Sequence, residues 1–349
     1  MRIAFAGTPN FAATVLRGLI SSPHEVGLVI SQPDRRKGRG RRTRTTPVAE
    51  LAHSHDLLLR QPDSISEISD ELSDYDALVV AAYGQILRPE TLYAASEGAW
   101  NVHASLLPKY RGAAPVERAI MTGETETGVT IIRMDEGLDT GPMALQHPVA
   151  IPPDMDAGEL TDLLAHTGAK AIVEGLDLLQ TNALTLIAQN SRHATYASKI
   201  SDEDRIIGWG REVGEVHDLI RALAPHIGAR TFHPDLEGPV KIWRSRILDR
   251  AAVSSEAGLI DAENGRIVVY CGKGRLEVVE LQVPGGRRLP ACDFLLGNSL
   301  EGAFSQPGTP LHNMVAACWR MTWVQEQHVN NDAKLPGALG VISVGGSGR

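Results

Sequence analysis

The sequence predicts an α/β protein with a Rossmann-like, mostly parallel sheet domain, followed by a small OB-like β-barrel. Three observations predict this. Over the first 190 residues, apolar runs of strand length alternate with segments of helical periodicity, the pattern of strands buried on both faces. Beyond Ser191 the pattern changes to short strands separated by turn residues. Hydrophobic residues make up 43% and charged residues 22% of the 349, enough to bury a core in each unit without a staple.

The elements follow in order. Residues 2–6 read as a buried strand, Gly7-Thr8-Pro9-Asn10 as a turn, and residues 11–21 as a helix with Phe11, Val15, Leu16 and Leu19 on one face. Strands follow at 26–30, 76–82, 100–103 and 127–134, with helical stretches near 64–73, 89–96 and 114–122. Residues 157–181 form a long amphipathic helix. The first domain is placed at 1–190, a polar linker at 191–204 and the barrel at 205–308. The barrel opens with a helix over 212–223. It continues with strands at 240–247, 258–261, 266–270 and 276–283, with Asn264-Gly265 as a hairpin turn. Residues 309–349 are a tail of unassigned role, with a possible helix over 312–327 and a Gly/Ser-rich end read as disordered.

A formal charge of −8 argues against a protein that coats nucleic acid with a wholly basic surface, and leaves room for a local basic device. Cys271, Cys292 and Cys318 make neither a zinc pattern nor a disulfide framework, and read as small buried residues in a reducing compartment. The first apolar run breaks at Gly7-Thr8-Pro9, too early for a signal peptide, and no run approaches a membrane span. The expectation is a soluble, cytoplasmic monomer with no membrane partner. No metal is expected, and Gly7-Thr8-Pro9 is not the G-x-G-x-x-G of a nicotinamide enzyme.

Chemistry concentrates in two stretches. In residues 100–116, Asn101 and His103 stand two apart at a strand end, so both side chains share a face. An amide and an imidazole aimed at one point can stabilise an oxyanion and move a proton. In residues 134–142, three acids and two glycines follow a strand directly. Asp139 in that turn could face His103 and favour its protonated form. Taken singly, such features are more often structural than catalytic.

Their joint wording is another matter. Asn101-Val-His103-Ala-Ser-Leu-Leu-Pro108, Tyr110-Arg-Gly and Asp135-x-Gly137-x-Asp139-x-Gly141-Pro resemble the 10-formyltetrahydrofolate-dependent formyltransferase family. The resemblance covers roughly residues 1–300 and implies that Asn101, His103 and Asp139 are the catalytic trio. It also implies a folate site for the co-substrate 10-formyltetrahydrofolate. That site would be built from Ala82, Tyr83, Gly84, Gln85, Ile86 and Leu87, from Ser105, Leu106, Leu107 and Pro108, and from Asp135 and Gly137. The opening Phe5-Ala-Gly-Thr-Pro-Asn-Phe11, the loop after Gln32-Pro33-Asp34 and the C-terminal region with Tyr196-Ala-Ser-Lys199-Ile200 resemble the branch that formylates methionyl-tRNA. Initiator methionyl-tRNA is therefore the implied acceptor. Where Ser198 stands, that family usually has Pro.

Residues 35–44 carry seven basic residues and no acid: Arg35, Arg36, Lys37, Arg39, Arg41, Arg42 and Arg44. On an acidic chain this is a focused binder of phosphate backbone, and Gly38 and Gly40 let the backbone come close to a partner. The resemblance makes it the loop that enters the acceptor end of the tRNA, with Arg39 as its key arginine. Lys241, Arg244 and Arg246 on one barrel strand are a second candidate tRNA surface. Two rivals remain open at this point: a non-catalytic tRNA-binding module, and a formyltransferase for a small amine.

Overall fold

The structure is a computed structural model that describes residues 1–37, 42–254, 256–262 and 265–305, with backbone alone at 35–37 and 42–44. The expected tail, the possible helix at 312–327, Cys318, Arg39, Arg41 and Asn264 lie outside the described residues.

The N-terminal unit runs β1 (Arg2–Gly7), α1 (Asn10–Ile20), β2 (Glu25–Ile30), β3 (Arg35–Lys37), β4 (Arg42–Arg44), α2 (Pro47–Ser54), β5 (Leu59–Arg60), β6 (Ala77–Ala81), α3 (Pro89–Leu92), β7 (Ala99–His103), β8 (Arg111–Gly112), α4 (Pro115–Met121), β9 (Glu126–Arg133), β10 (Met143–Ala150) and α5 (Ala157–Gln180). Its sheet has the order β10-β9-β7-β6-β1-β2-β5. The five strands β5, β2, β1, β6 and β7 are parallel, and β9 and β10 add antiparallel at one edge. One face carries Ile3, Phe5, Val79 and Val102 against α1, α4 and α5. The other carries Ala4, Leu28, Leu78 and Ala99 against Ile65, Leu72, Tyr83 and Leu92. This burial on both faces is why the strands read as continuous apolar runs. Helix α5 starts where Asp156 and Glu159 form a capping box, each side chain accepting from the other's backbone N–H.

The C-terminal unit contains α6 (Val213–Leu223), β12 (Ala229–Thr231), β13 (Val240–Asp249), β14 (Ile260–Asp261), β15 (Ile267–Tyr270), β16 (Arg275–Gln282), β17 (Leu289–Pro290) and α7 (Ala291–Leu295), after the short β11 (Tyr196–Ala197). Antiparallel pairing gives the order β12-β13-β16-β15-β14. The two edges are joined by residues 303–305: Ser305 bridges Phe232 beyond β12, and Ala303 bridges Leu259 before β14. Phe304 between them is buried and stacks on Trp209 with ring centroids 5.7 Å apart. Burying such a ring is worth about 1.5–3 kcal/mol, so this segment closes the sheet into a barrel-like unit.

Four expectations need correction. Residues 64–73 form two 3-10 turns, Ile65–Ile68 and Asp70–Asp74, rather than one helix; Ile65, Ile68 and Leu72 are the apolar residues that turn inward, and a capping box at Ser64 starts the first turn. The helix expected over 89–96 ends at Leu92, and its following turn brings Gly98 into the left-handed conformation at φ +74° before β7. The span 191–204 is not a loose linker. Ala197 and Ile200 are buried in it, and β11 pairs in parallel with β8. Cys292 is exposed, because α7 turns Ala291 and Phe294 inward and leaves the intervening side chains outside; Cys271 is buried as expected.

Candidate active site

Asn101 and His103 share the sheet face of Ala99 on β7. His103 is 5% exposed. Its Nε2 lies 2.9 Å from the Tyr110 carbonyl oxygen. A carbonyl can only accept, so Nε2 carries the proton and donates it, which leaves Nδ1 as the ring nitrogen free for chemistry. Nδ1 faces Asp139 Oδ1 at 3.6 Å, an ion-pair distance rather than a hydrogen bond. Asn101 Nδ2 donates to the same oxygen at 3.4 Å. The other carboxylate oxygen, Oδ2, accepts from the Gly112 backbone N–H at 2.8 Å. The three residues singled out in sequence therefore meet around one carboxylate.

The carboxylate arrives by an indirect route. Because β9 is antiparallel to β7, with His103 opposite Thr130 and Trp100 opposite Arg133, the turn after β9 starts at the amino end of β7. There Met134 N–H donates to the Ala99 carbonyl at 2.8 Å. The turn then folds back to bring Asp139 against Asn101 and His103. Asp139 holds φ +53° and Tyr110 φ +59°. Both are non-glycine residues in the left-handed region, which costs about 1–3 kcal/mol and persists where surrounding contacts enforce it. Gly112 has φ +117°, and a Cβ there would lie 2.8 Å from the Ala197 carbonyl oxygen. A side chain would push that N–H off Asp139.

The expected folate residues divide by orientation. In Ala82–Leu87, Ala82, Gly84 and Ile86 are exposed, while Tyr83 and Leu87 are buried in the core. Burial pushes the Tyr83 hydroxyl up to about 12. The Tyr83 carbonyl accepts from Thr8 Oγ1 at 3.1 Å and from Gln32 Nε2 at 2.8 Å, and Gln85 accepts from Ile65 N–H at 3.1 Å. The loop can thus offer a ligand its backbone at Ala82 and Gly84, the Ala82 methyl and the apolar Ile86, but not the Tyr83 ring. Ser105, Leu106, Leu107 and Pro108 build the turn after β7. Ser105 Oγ donates to the Lys109 carbonyl at 2.6 Å. Thr130 supports both sides, donating to the Ser105 carbonyl at 2.7 Å and accepting from Leu107 N–H at 3.0 Å. Leu106 packs on the Gly128 backbone. Asp135 closes its own turn, accepting from Gly137 N–H at 3.1 Å and Thr140 Oγ1 at 2.6 Å.

For the basic segment, the backbones of Arg35, Arg36 and Lys37 pair antiparallel with those of Arg44, Thr43 and Arg42, forming a hairpin directly after β2. It leaves the same carboxyl edge of the parallel strands that carries Thr8, the 82–87 loop and His103. On the barrel, β13 has register shifts at Ile242/Arg244 and Arg244/Ser245, so the three basic residues do not alternate simply. Arg244 and Arg246 are exposed, with Arg246 3.6 Å from Glu277. Lys241 is half-buried, its Nζ 5.2 Å from the Trp243 ring centre; burial, then the nearby Arg230 and Arg205, hold its ammonium below the ordinary value. The barrel strand bearing these residues faces Asp154, Asp156 and Glu159 across a cleft of about 420 Å³, away from the trio.

Three contributors have no role in the sequence reading: the Gly112 N–H and buried Arg111, which lie within the Tyr110-Arg-Gly wording, and Gln189, which carries no signal. Gln189 Nε2 donates to the carbonyls of Asp139 and Gly141 at 2.7 and 2.8 Å. Among the described residues no cluster of His, Cys, Asp or Glu could hold a metal ion, and no helix is long and apolar enough to cross a membrane.

Comparison with known proteins bears on the same two units. Residues 1–176 match the family described as Formyl transferase, and residues 199–299 match Formyl transferase, C-terminal domain. Methionyl-tRNA formyltransferase of Rubrobacter xylanophilus is 64% identical over 303 residues, which cover 87% of this chain and 99% of that protein. The protein of the same name from Chromobacterium violaceum is 44% identical over 307 residues, 86% of this chain and 97% of its own. Among solved structures, the N-formyltransferase of Helicobacter canadensis in complex with folinic acid and dTDP-3-aminofucose has a TM-score of 0.61. It is 19% identical, over 79% of this chain and 98% of that one, and supports the fold alone.

Proposed function

This chain belongs to the formyl transferase family, and from that premise we propose that it transfers the formyl group of 10-formyltetrahydrofolate to the α-amine of initiator methionyl-tRNA, giving formylmethionyl-tRNA for translation initiation. The observation that carries the reading is the convergence of Asn101, His103 and Asp139 on one carboxylate. The 64% identical relative over nearly its whole length supports the choice of acceptor. The working form is a cytoplasmic monomer.

In this reaction the α-amine attacks as the neutral form. A C–N bond forms to the formyl carbon, and the bond from that carbon to N10 of the folate breaks. The amine loses a proton and N10 gains one, so no net proton is consumed. Negative charge builds on the formyl oxygen as the amine adds. The Asn101 amide and the protonated Nδ1 of His103 are the donors for that oxygen, and loss of one such donor costs about 100–1,000-fold in rate. Since Nε2 is committed to Tyr110, Nδ1 is the nitrogen through which His103 gives or takes a proton. Asp139 orients the His103 ring and receives the amine's proton, directly or through a water; such acid–base help is worth about 100–10,000-fold. The exposed backbone and small side chains at 82–86 form the pterin side of the pocket. The basic segment 35–44, whose paired strands 35–37 and 42–44 follow β2 at the same edge of the sheet, reads the acceptor end. Opening an unpaired or mismatched end is easier than opening a paired one, which makes ease of opening the basis of initiator preference.

The test is formyl transfer to initiator methionyl-tRNA, with elongator methionyl-tRNA and glycinamide ribonucleotide as competing acceptors, for the parent and Arg39→Ala. Transfer confined to initiator by the parent, and loss of that preference in R39A, is the expected result. Tight tRNA binding with no transfer to any acceptor would replace the reading by a binding module. Discrimination unchanged in R39A would remove the hairpin's role.

A further inference from the structure

Gln189 lies in the segment that follows α5, far in sequence from both catalytic stretches. We propose that it is a positioning residue for formyl transfer: its carboxamide, aimed by Arg111, holds the Asp139 turn so that the carboxylate stays on His103 and Asn101. The proposal rests on the trio reading above.

Every hydrogen-bonding atom of this side chain is used. Nε2 has two N–H groups and donates to two carbonyls, Asp139 at 2.7 Å and Gly141 at 2.8 Å. Oε1 accepts from both Nε and Nη2 of Arg111, at 3.1 and 2.7 Å. Arg111 is 2% exposed, and its backbone N–H donates to the Thr195 carbonyl at 2.9 Å. Its fork fixes which way the amide faces: a flipped amide would set NH2 against a guanidinium and an oxygen against two carbonyl oxygens. The stem is docked as well, since Ile187 and Met143 exchange backbone hydrogen bonds of 2.8 Å in both directions.

The turn needs such a hold. Asp139 sits at φ +53°, where side-chain-bearing residues seldom rest. Its carboxylate is fixed from one side by Gly112 N–H, and its carbonyl from the other by Gln189. Gly141 leaves no slack beyond it, since a Cβ there would strike the Arg133 carbonyl oxygen. With His103 Nδ1 already 3.6 Å from Oδ1, a further displacement takes the carboxylate out of range.

Gln189→Glu isolates the donor role. The shape is kept and the contact to Arg111 becomes an ion pair, but both donors are lost and a carboxylate faces two carbonyls. The expected result is a fall in kcat of about 10- to 100-fold, with KM for tRNA and for the folate within roughly twofold. The melting temperature should hold. In an Asp139→Asn background, Q189E should cause no further loss, because both act through the same carboxylate; a merely structural role would add to D139N. Unchanged kcat in Q189E while D139N is strongly impaired would overturn the positioning role and leave the trio intact. Full activity in D139N would overturn the trio reading and this proposal with it. Should Q189E fail to fold, Gln189→Ala removes the same donors without adding charge, and the same outcomes decide.

Discussion

Replacing Arg118 by Ala removes a clamp between α4, which follows the turn after β7, and the segment leading into the barrel. Arg118 Nη1 and Nη2 donate to Asp204 Oδ1 and Oδ2 at 2.8 and 2.6 Å, while Nε donates to the Ser198 carbonyl at 3.1 Å. The paired side chains are 21% and 25% exposed, sheltered enough for the interaction to matter. Above all through the Arg118 hydrogen bonds, the Asp204 carboxyl is held down to about 2, against an ordinary 3.8. At 1.36 kcal/mol per pKa unit the net shift corresponds to roughly 2 kcal/mol, with the opposing cost of burying the carboxylate already included. Ser201 N–H supplies part of it, at 2.8 Å from Oδ2, and partial exposure screens it further. The pair itself should therefore contribute about 1–1.5 kcal/mol. The assay is urea unfolding of the parent, Arg118→Ala, Asp204→Asn and the double variant, as a double-mutant cycle. Because the folded carboxyl titrates below the unfolded one, its contribution is complete above about pH 4 and fades as pH falls toward 2. The stability gap between parent and D204N should close over that window. A coupling energy below about 0.3 kcal/mol at neutral pH, within the range of additive sites, would refute the reasoning.

Two further outcomes follow from the site and the barrel. Gly112→Ala should lower kcat by about 10- to 100-fold with little change in tRNA affinity, because the new Cβ meets the Ala197 carbonyl and displaces the N–H from Asp139; full activity in steady-state transfer would contradict it. Arg244→Ala combined with Arg246→Ala should flatten the dependence of log tRNA affinity on log salt by about 1–2 and leave kcat at saturating tRNA unaltered, with Arg246 the smaller share because Glu277 already faces it; an unchanged slope would move the tRNA surface elsewhere.

The parallel strands were legible because burial on both faces leaves unbroken apolar runs, as at Ala77–Ala81, and α5 because its apolar period and Asp156–Glu159 cap are local. Asn101 and His103 could be paired because strand geometry alone puts them on one face. The 64–73 stretch misled because capping residues and three inward side chains look alike in a helix and in successive 3-10 turns. The closing segment 303–305 was missed because its partners, Phe232 and Leu259, are distant in sequence. Ser198, where the family usually has Pro, accepts from Arg118 Nη2 through its hydroxyl at 3.1 Å, a contact visible only once α4 lies beside it.

By itself, then, the amino-acid order determined what depends on near neighbours: strand and helix periods, the wording of the two candidate catalytic stretches, and the concentration of positive charge at 35–44. The tertiary structure decided what depends on pairing between remote segments. The antiparallel entry of β9 carries Asp139 back over β7, the commitment of His103 Nε2 to Tyr110 leaves Nδ1 facing Asp139, and Gln189 and Arg111 hold the turn that bears the carboxylate. The physical reason is that a side chain's direction follows from its own backbone, while its partner follows from how the whole chain packs.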